Sequence, residues 1–449
     1  MPVTVGVARH PLTPPWGVEL AGFGYYLGRT WQRIRDDLTA TALVVDDGRN
    51  RAALVAVDLM YIDAEFSRVV RQLAAAETDL EPESITIAAS HSHNAPTTAF
   101  VRGVGEVDSA YVAWAQRQVA TAIILAWRRR EEATIRVGHG SLDGWTFNRT
   151  REGGAVDSRV SVLCVDDRHG RPLALVTNFA AHPTVQSELG ISDVSRDYPG
   201  QLNDILETVF PGTTAMFLQG SCGDVNFLRR YREDPETSGE PGRALAGVTL
   251  EAIAGAQRID DESVGFCSSY VSLPTRRYRR EDVLAELEEG RYRLESGDTS
   301  GWRETLGRVM VNQPDKFPSR YGGDESLAVQ ALSRFAVEWT EDILRDLETR
   351  PEVLQTQVHA IRIGDVFFGS QPAELFSSLA LDLRNRWPHD NLFVVGYAND
   401  AISYLADPYD IERKSYAAAQ SPKFMGNFPF IPESGPALID GMLNSLAQT

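Results

Sequence analysis

The chain has 449 residues, 43% of them hydrophobic and 24% charged, with 62 Asp+Glu against 44 Lys+Arg and a formal charge of −18. This composition is globular and excludes disorder; the length gives a prior of roughly three domains. The acidity excludes a nucleic-acid partner and stable attachment to an anionic membrane, both of which need a basic footprint.

Cys164, Cys222 and Cys267 form no CxxC pair, so neither a disulfide framework nor a cysteine zinc finger is expected. No stretch reaches ~18 apolar residues, so no transmembrane helix is expected. The start, MPVTVGVARHPLTPPWG, has no basic n-region and no apolar h-region. It reads as a chain without a signal peptide and hence as cytoplasmic, a secreted form lacking its leader being the alternative.

Short Val/Ile/Leu-rich runs predict buried strands over 52–59, 84–90, 159–167, 173–181, 213–220, 358–370 and 391–399. The sixth reads as two strands joined by a turn at Gly364-Asp365. Three- and four-residue apolar spacing predicts helices over 63–80, 109–130 and 372–386. Strands alternating with helices give an α/β fold of mixed sheets layered with helices. Residues 275–350 carry few strand signals and read as a helical insertion, its charges a solvated face. The polar, Gly/Pro-rich stretch 229–242 reads as a surface loop.

Chemically capable residues gather where predicted strands end, the usual place for an α/β active site. In SITIAASHSHNAP, His91 and His93 are two apart, so an extended chain would put both imidazoles on one face. They are either a ligand with an acid–base partner or two surface histidines. FNRT supplies Arg149 after the strand TIRVGHGSL. In VTNFAAHPT, His182 follows a strand directly, as a ligand or a satisfied turn histidine. SRDYPG supplies Asp197 and Tyr198 ahead of a helix beginning near Pro199. FLQGSCGDVNF offers Ser221 and Cys222 as nucleophiles and Asp224 as a carboxylate, or simply a Gly-rich turn. In GSQPAELF, Glu374 reads as the start of a helix, a metal ligand or a residue favoured there by the helix dipole. Tyr397, Tyr404, Tyr409 and Tyr416 crowd one segment, as phenol ligands, oxyanion donors or packing residues.

In this order, the motifs resemble those of the neutral/alkaline non-lysosomal ceramidase family, zinc-dependent amidases. ASHSHNAP is similar to the family's SHTHSGP, FNRT to NRSP, NFAAHPT to NFAVHPT, SRDYPG to GDYPG, QGSCGDVN to the GDVSPN region and QPAE to PGE. LAGFG followed by DDLTATALVVDD resembles the family's opening, so the likeness runs from about residue 3 to 445. It implies one catalytic domain over 1–449, with zinc bound by His91, His182, Glu374 and Tyr404. It places His93, Arg149 and Tyr416 toward the substrate; Tyr404 and Tyr416 are twelve apart, as the family's two functional tyrosines are. Three features depart from the family. Asn226 stands where GDVSPN carries a serine, NAPTT replaces the SGPGG tail, and the family's C-terminal β-sandwich has no counterpart.

The resemblance implies zinc-activated water attacking the carbonyl of an amide or ester in a small or lipid-like substrate. Tyr416 would stabilise the oxyanion, His93 would shuttle the proton, Arg149 would orient a substrate oxygen or carboxylate, and Asn226 would hold the water or donate to the oxyanion. Two other readings stand beside it: a hydrolase with a Ser221 or Cys222 nucleophile, and a non-catalytic ligand-binding relative. A homo-oligomer is left open.

Overall fold

The period-two pattern of the strands sets the layering. In Thr39–Asp46, Ala40, Ala42 and Val44 pack to one side while Leu43 and Val45 pack to the other, so both faces of the strand are covered. The computed structural model describes residues 3–229, 239–311 and 313–449; most of the expected loop at 229–242 lies outside them.

The main sheet comprises β1 (Thr4–Pro11), β2 (Thr39–Asp46), β3 (Arg51–Val57), β4 (Ile85–Ala89), β5 (Glu131–Ser141), β6 (Arg159–Asp167), β7 (Pro172–Phe179), β8 (Thr214–Gln219) and the short β9 (Gln257–Arg258). Its order is β8-β7-β6-β5-β1-β2-β3-β4, with β9 beside β5. A second sheet holds β10 (Val264–Pro274), β11 (Val353–Ile363), β12 (Val366–Ser370) and β13 (Leu392–Val395), in that order. β11 and β12 form the hairpin expected at Gly364-Asp365, where Gly364 takes the left-handed φ of 61° the tight turn needs.

The two sheets face each other through Leu43, Leu54, Val176 and Met216 on one side and Ile361, Phe368, Phe393 and Val395 on the other. Helices cover the outer faces. α1 (Ala64–Ala75), α2 (Ser109–Arg128), α3 (Asp197–Val209) and α4 (Glu240–Ala254) lie over the main sheet. Asp63 and Asp108 cap the first two, each carboxylate accepting from backbone N–H groups of the first turn. Between β10 and β11 run α5 (Arg280–Ser296) and α6 (Glu325–Leu344), with a short helix at Leu306–Met310 and a 3₁₀ segment at Pro314–Tyr321. These pack through Trp302, Phe317, Phe335 and Trp339 onto Tyr25, Met60, Val101 and Phe424. α7 (Ser377–Arg386) and α8 (Ser434–Leu446) cover the second sheet. The result is an α/β fold of mixed sheets layered with helices.

Two helices are shorter than their apolar patterns. The helix expected over 63–80 ends at Ala75. The one expected over 372–386 starts only at Ser377, because Glu374 and Leu375 pair instead as a short parallel ladder with Tyr404 and Leu405. Glu374 therefore stands at the mouth of a strand, not in a first helical turn.

Among the described residues, parallel pairing is confined to a few places: β3 with β4, β7 with β8, β12 with β13, the ladder at Glu374, and a two-residue contact of Asp193–Val194 with Arg33–Ile34. The chain leaving the C-terminal ends of the first four supplies His91, His93, His182 and Glu374, while Arg149 and Asn226 come from an antiparallel pair of Thr146–Asn148 with Val225–Phe227. The edges β4 and β8 are joined by residues 396–399. Gly396 donates to the Gln219 carbonyl at 2.8 Å, and the Tyr397 carbonyl accepts from Ala89 at 3.1 Å.

Phe393, fully buried between the sheets with its ring 4.6 Å from that of Phe368, tests the layering. Phe393→Ala is expected to lower stability by about 3–5 kcal/mol. Urea unfolding followed by tryptophan fluorescence would show this as one shifted transition; an unshifted midpoint would contradict a shared core.

Candidate active site and metal centre

His91 follows β4 and His182 follows β7, and both are buried, as are His93 and Glu374. The surface-histidine reading of His91 and His93 is thereby excluded. Their convergence has a different cause from the extended-chain spacing. His91 has a left-handed φ of 64°, which turns its ring back toward that of His93. Tyr397, Asn399 and Ser403 also have positive φ, of 54°, 65° and 79°, so strained backbone gathers around this centre.

Second partners orient the rings. His91 Nδ1 lies 3.0 Å from the Met60 carbonyl and His182 Nδ1 2.6 Å from the Cys222 carbonyl. A carbonyl only accepts, so each Nδ1 carries a proton and donates it, and each Nε2 turns its other side inward. The two Nε2 atoms are 3.2 Å apart, and Glu374 Oε2 lies 3.3 and 3.4 Å from them. His93 Nε2 is 3.3 Å from His91 Nε2. The Tyr61 hydroxyl donates to Glu374 Oε1, leaving Oε2 for the centre. Tyr397 stacks on His91 with ring centroids 4.1 Å apart, and its hydroxyl meets Cys222 Sγ at 3.0 Å.

Electrostatics match this arrangement. Burial and the nearby Arg149 charge push His182 down to about 3, and burial pushes His93 well below its ordinary value, so both rings are neutral at pH 7. Burial would raise the Glu374 carboxyl, but a proton shared with the facing His91 and His182 outweighs it and holds it well below the carboxylate range. A shared proton satisfies only two of the three inward atoms at a time. A divalent cation satisfies all three, and neutral imidazole with carboxylate is a donor set such cations take. The residues present therefore fit a metal ion. Among the described residues, His91, His93 and His182 are the group whose ligand nitrogens lie within 4.8 Å of one another.

Beside this set, Tyr404 hydrogen-bonds Glu374 and accepts from Arg149 Nη2 at 2.8 Å. Arg149 also donates to the Gly223 carbonyl, at 2.8 Å from Nη2 and 3.2 Å from Nε. Burial disfavours the Arg149 charge, but Tyr404 and Glu374 more than offset it and raise its pKa. The Tyr416 ring is 6.2 Å from that of Tyr404, and burial pushes its phenol up to about 12, so it is a hydrogen-bond donor at neutral pH. His93, Arg149, Asn226, Tyr404 and Tyr416 all line one open cleft of about 360 Å³. Asn226 Oδ1 and His93 Nδ1 are buried without hydrogen-bond partners. An adjoining recess of about 60 Å³ is lined by Met60, Val101, Val104 and Phe424.

Other candidates fall elsewhere. Cys222 is fully buried, with its thiol raised by burial, the opposite of an activated nucleophile. Ser221 is buried with no partner for its hydroxyl, hence no base to activate it. Asp224 holds the turn, accepting from the Ser377 backbone and hydroxyl at 2.8 Å each. Asp197 accepts from the backbone of Gln186 and Tyr198 and shapes the loop after His182. Tyr409 is exposed. Tyr61 was missed, although it lies just beyond the strand read over 52–59, the position that singled out the others.

No family model and no curated protein matches the sequence. The structure superimposes on the neutral ceramidase from Pseudomonas aeruginosa with a TM-score of 0.74 and 18% identity, over 99% of this chain and 74% of that one. A second ceramidase, complexed with C2, gives a TM-score of 0.71 at 16% identity over 99% and 75% of the two chains. The chain has the fold of the neutral ceramidases.

Gly223 tests the site's packing, because a Cβ there would lie 2.4 Å from the Glu374 carbonyl oxygen. Gly223→Ala is expected to displace Glu374 and weaken metal binding by about 10- to 100-fold. Equilibrium dialysis against zinc would check it, with circular dichroism expected to stay native.

Proposed function

We propose that the protein is a metal-dependent hydrolase of the ceramidase type, acting on the amide bond of an N-acyl substrate. The convergence of His91 Nε2, His182 Nε2 and Glu374 Oε2 within 3.4 Å carries this reading. The shared ceramidase fold supports it. Zinc suits the donors best: two neutral imidazoles and a carboxylate, with the Tyr404 phenol as a fourth ligand. When bound, zinc supplies Lewis acidity toward a carbonyl and toward water.

The chain's own residues do the rest. Tyr61, Met60 and Cys222 hold the ligands in orientation. Arg149 fixes the Tyr404 oxygen. Tyr416, protonated at neutral pH, donates to the carbonyl oxygen as negative charge builds there. His93, neutral and at the cleft floor, takes a proton from water and passes it to the leaving nitrogen. Asn226 accepts from the water or from the substrate N–H through its free Oδ1. An ester would meet the same groups, with an alcohol leaving. The Asn226 side chain at the family's serine position removes a hydroxyl but none of the proposed ligands.

Two measurements test the reading. Purified protein is expected to hold about one zinc per chain by elemental analysis, to lose N-acyl hydrolysis on chelation and to regain it with zinc; His91→Ala is expected to lose the metal. Full metal content in His91→Ala, or activity that resists chelation, would refute the assignment. Cys222→Ala, by contrast, is expected to keep at least half of the activity, and complete loss with zinc still bound would revive the thiol mechanism.

A further inference from the structure

The cleft has a charge opposite to that of the chain. Among the described residues its walls carry Arg149, Arg229, Lys316 and Arg320 against a single acid, Glu188, which pairs with Arg229 at 3.5 Å. The whole chain has a charge of −18. Arg320 is the most telling of these. Its Nη1 donates to the Gly24 carbonyl at 2.6 Å, and its guanidinium lies 5.4 and 5.5 Å from the ring centroids of Phe23 and Phe317, with no carboxylate partner among the described residues. Arg29 sits over the same Phe23 ring at 5.1 Å, 2% exposed, and bonded only to carbonyls. Two guanidiniums thus share one aromatic ring without an anion between them, and desolvation with mutual repulsion lowers Arg29 to about 9. Arg149, on the metal side, is different: it donates to Gly223 and Tyr404, and Tyr404 and Glu374 stabilise its charge. Tyr416 lies in the field of both Arg149 and Arg320. A guanidinium on a cleft wall without a counter-charge, as Arg320 is, favours an incoming anion.

We propose that this cleft selects N-acyl substrates whose leaving portion carries a carboxylate, received by Arg320 on the 3₁₀ segment Pro314–Tyr321, with Lys316 on the same wall. The acidic exterior repels such a substrate until it enters the cleft, and the cationic wall then orients it, with the amide toward His93 and Tyr416. This inference rests on the hydrolase reading, but its test separates the two.

The probes are N-octanoylglycine and its neutral isostere N-octanoylglycinamide, each followed by calorimetric binding and by initial rates on the zinc-loaded protein. The acid is expected to bind at least tenfold more tightly, with the preference shrinking as salt rises. Arg320→Gln is expected to abolish the preference and leave glycinamide binding within twofold. Lys316→Glu, at an exposed position where folding is not at risk, is expected to weaken the acid about threefold or more and spare the glycinamide. Equal affinity for the two probes, no detectable binding of the acid at millimolar concentration, or a preference that survives Arg320→Gln would each overturn the proposal. Turnover of both probes at equal efficiency would overturn it while leaving the hydrolase reading intact. A charge preference in binding, with neither probe hydrolysed, would support it and count against the hydrolase.

Discussion

Three lone-pair atoms converge on one small buried space, and much of the fold exists to hold them there. His91 Nε2, His182 Nε2 and Glu374 Oε2 would repel one another if left bare, so each is held from behind: by the Met60 carbonyl, the Cys222 carbonyl and the Tyr61 hydroxyl. Those three supports in turn sit at the ends of β3, of β8 and again of β3. The mixed topology has a use here. Antiparallel pairing builds most of both sheets, and the four parallel ladders that end at this centre deliver their chain ends to one place. The donors come from two sheets, which explains why no single local segment carries the site.

The electrostatic layout has two levels. At the floor, burial keeps His93 and His182 neutral while Glu374 stays ionised, which is the charge state a cation needs. Above it, the walls are cationic within an acidic protein. The net charge of the chain disfavours an approaching anion while the cleft wall favours it, a pattern that raises discrimination more than affinity.

Strand ends were the legible part. Val/Ile/Leu-rich runs mark β3, β4, β6, β7, β8, β11, β12 and β13, and the polar residues just beyond them include His91, His182 and Glu374. What the pattern could not show was direction within the turns. His91 and His93 meet through left-handed backbone, which a two-residue spacing does not encode. Glu374 looked helical because Pro372 and the apolar spacing that follows it mimic a helix start, whereas pairing with Tyr404, thirty residues away, decided its conformation. Tyr404 and Tyr416 were picked from four crowded tyrosines through the family resemblance, whose two functional tyrosines share their twelve-residue spacing. Arg29 and Arg320 were illegible for a physical reason: their partners are carbonyls and aromatic faces, which leave no charge pattern in the sequence. Phe23 and Arg320, almost three hundred residues apart, meet only once the helical stretch between β10 and β11 folds over the cleft.

The stitch formed by residues 396–399 has a consequence for assembly. Both imidazole-bearing segments are synthesised in the first half of the chain, yet β4, which leads into His91, and β8, the sheet neighbour of the β7 strand that leads into His182, are bridged by backbone from its last eighth. Until that segment inserts, both of these edges are open, and the ladder partner of Glu374, Tyr404, lies just beyond it. The proposed metal centre therefore depends on contacts of long sequence separation, the kind of closure that slows folding more than local packing does.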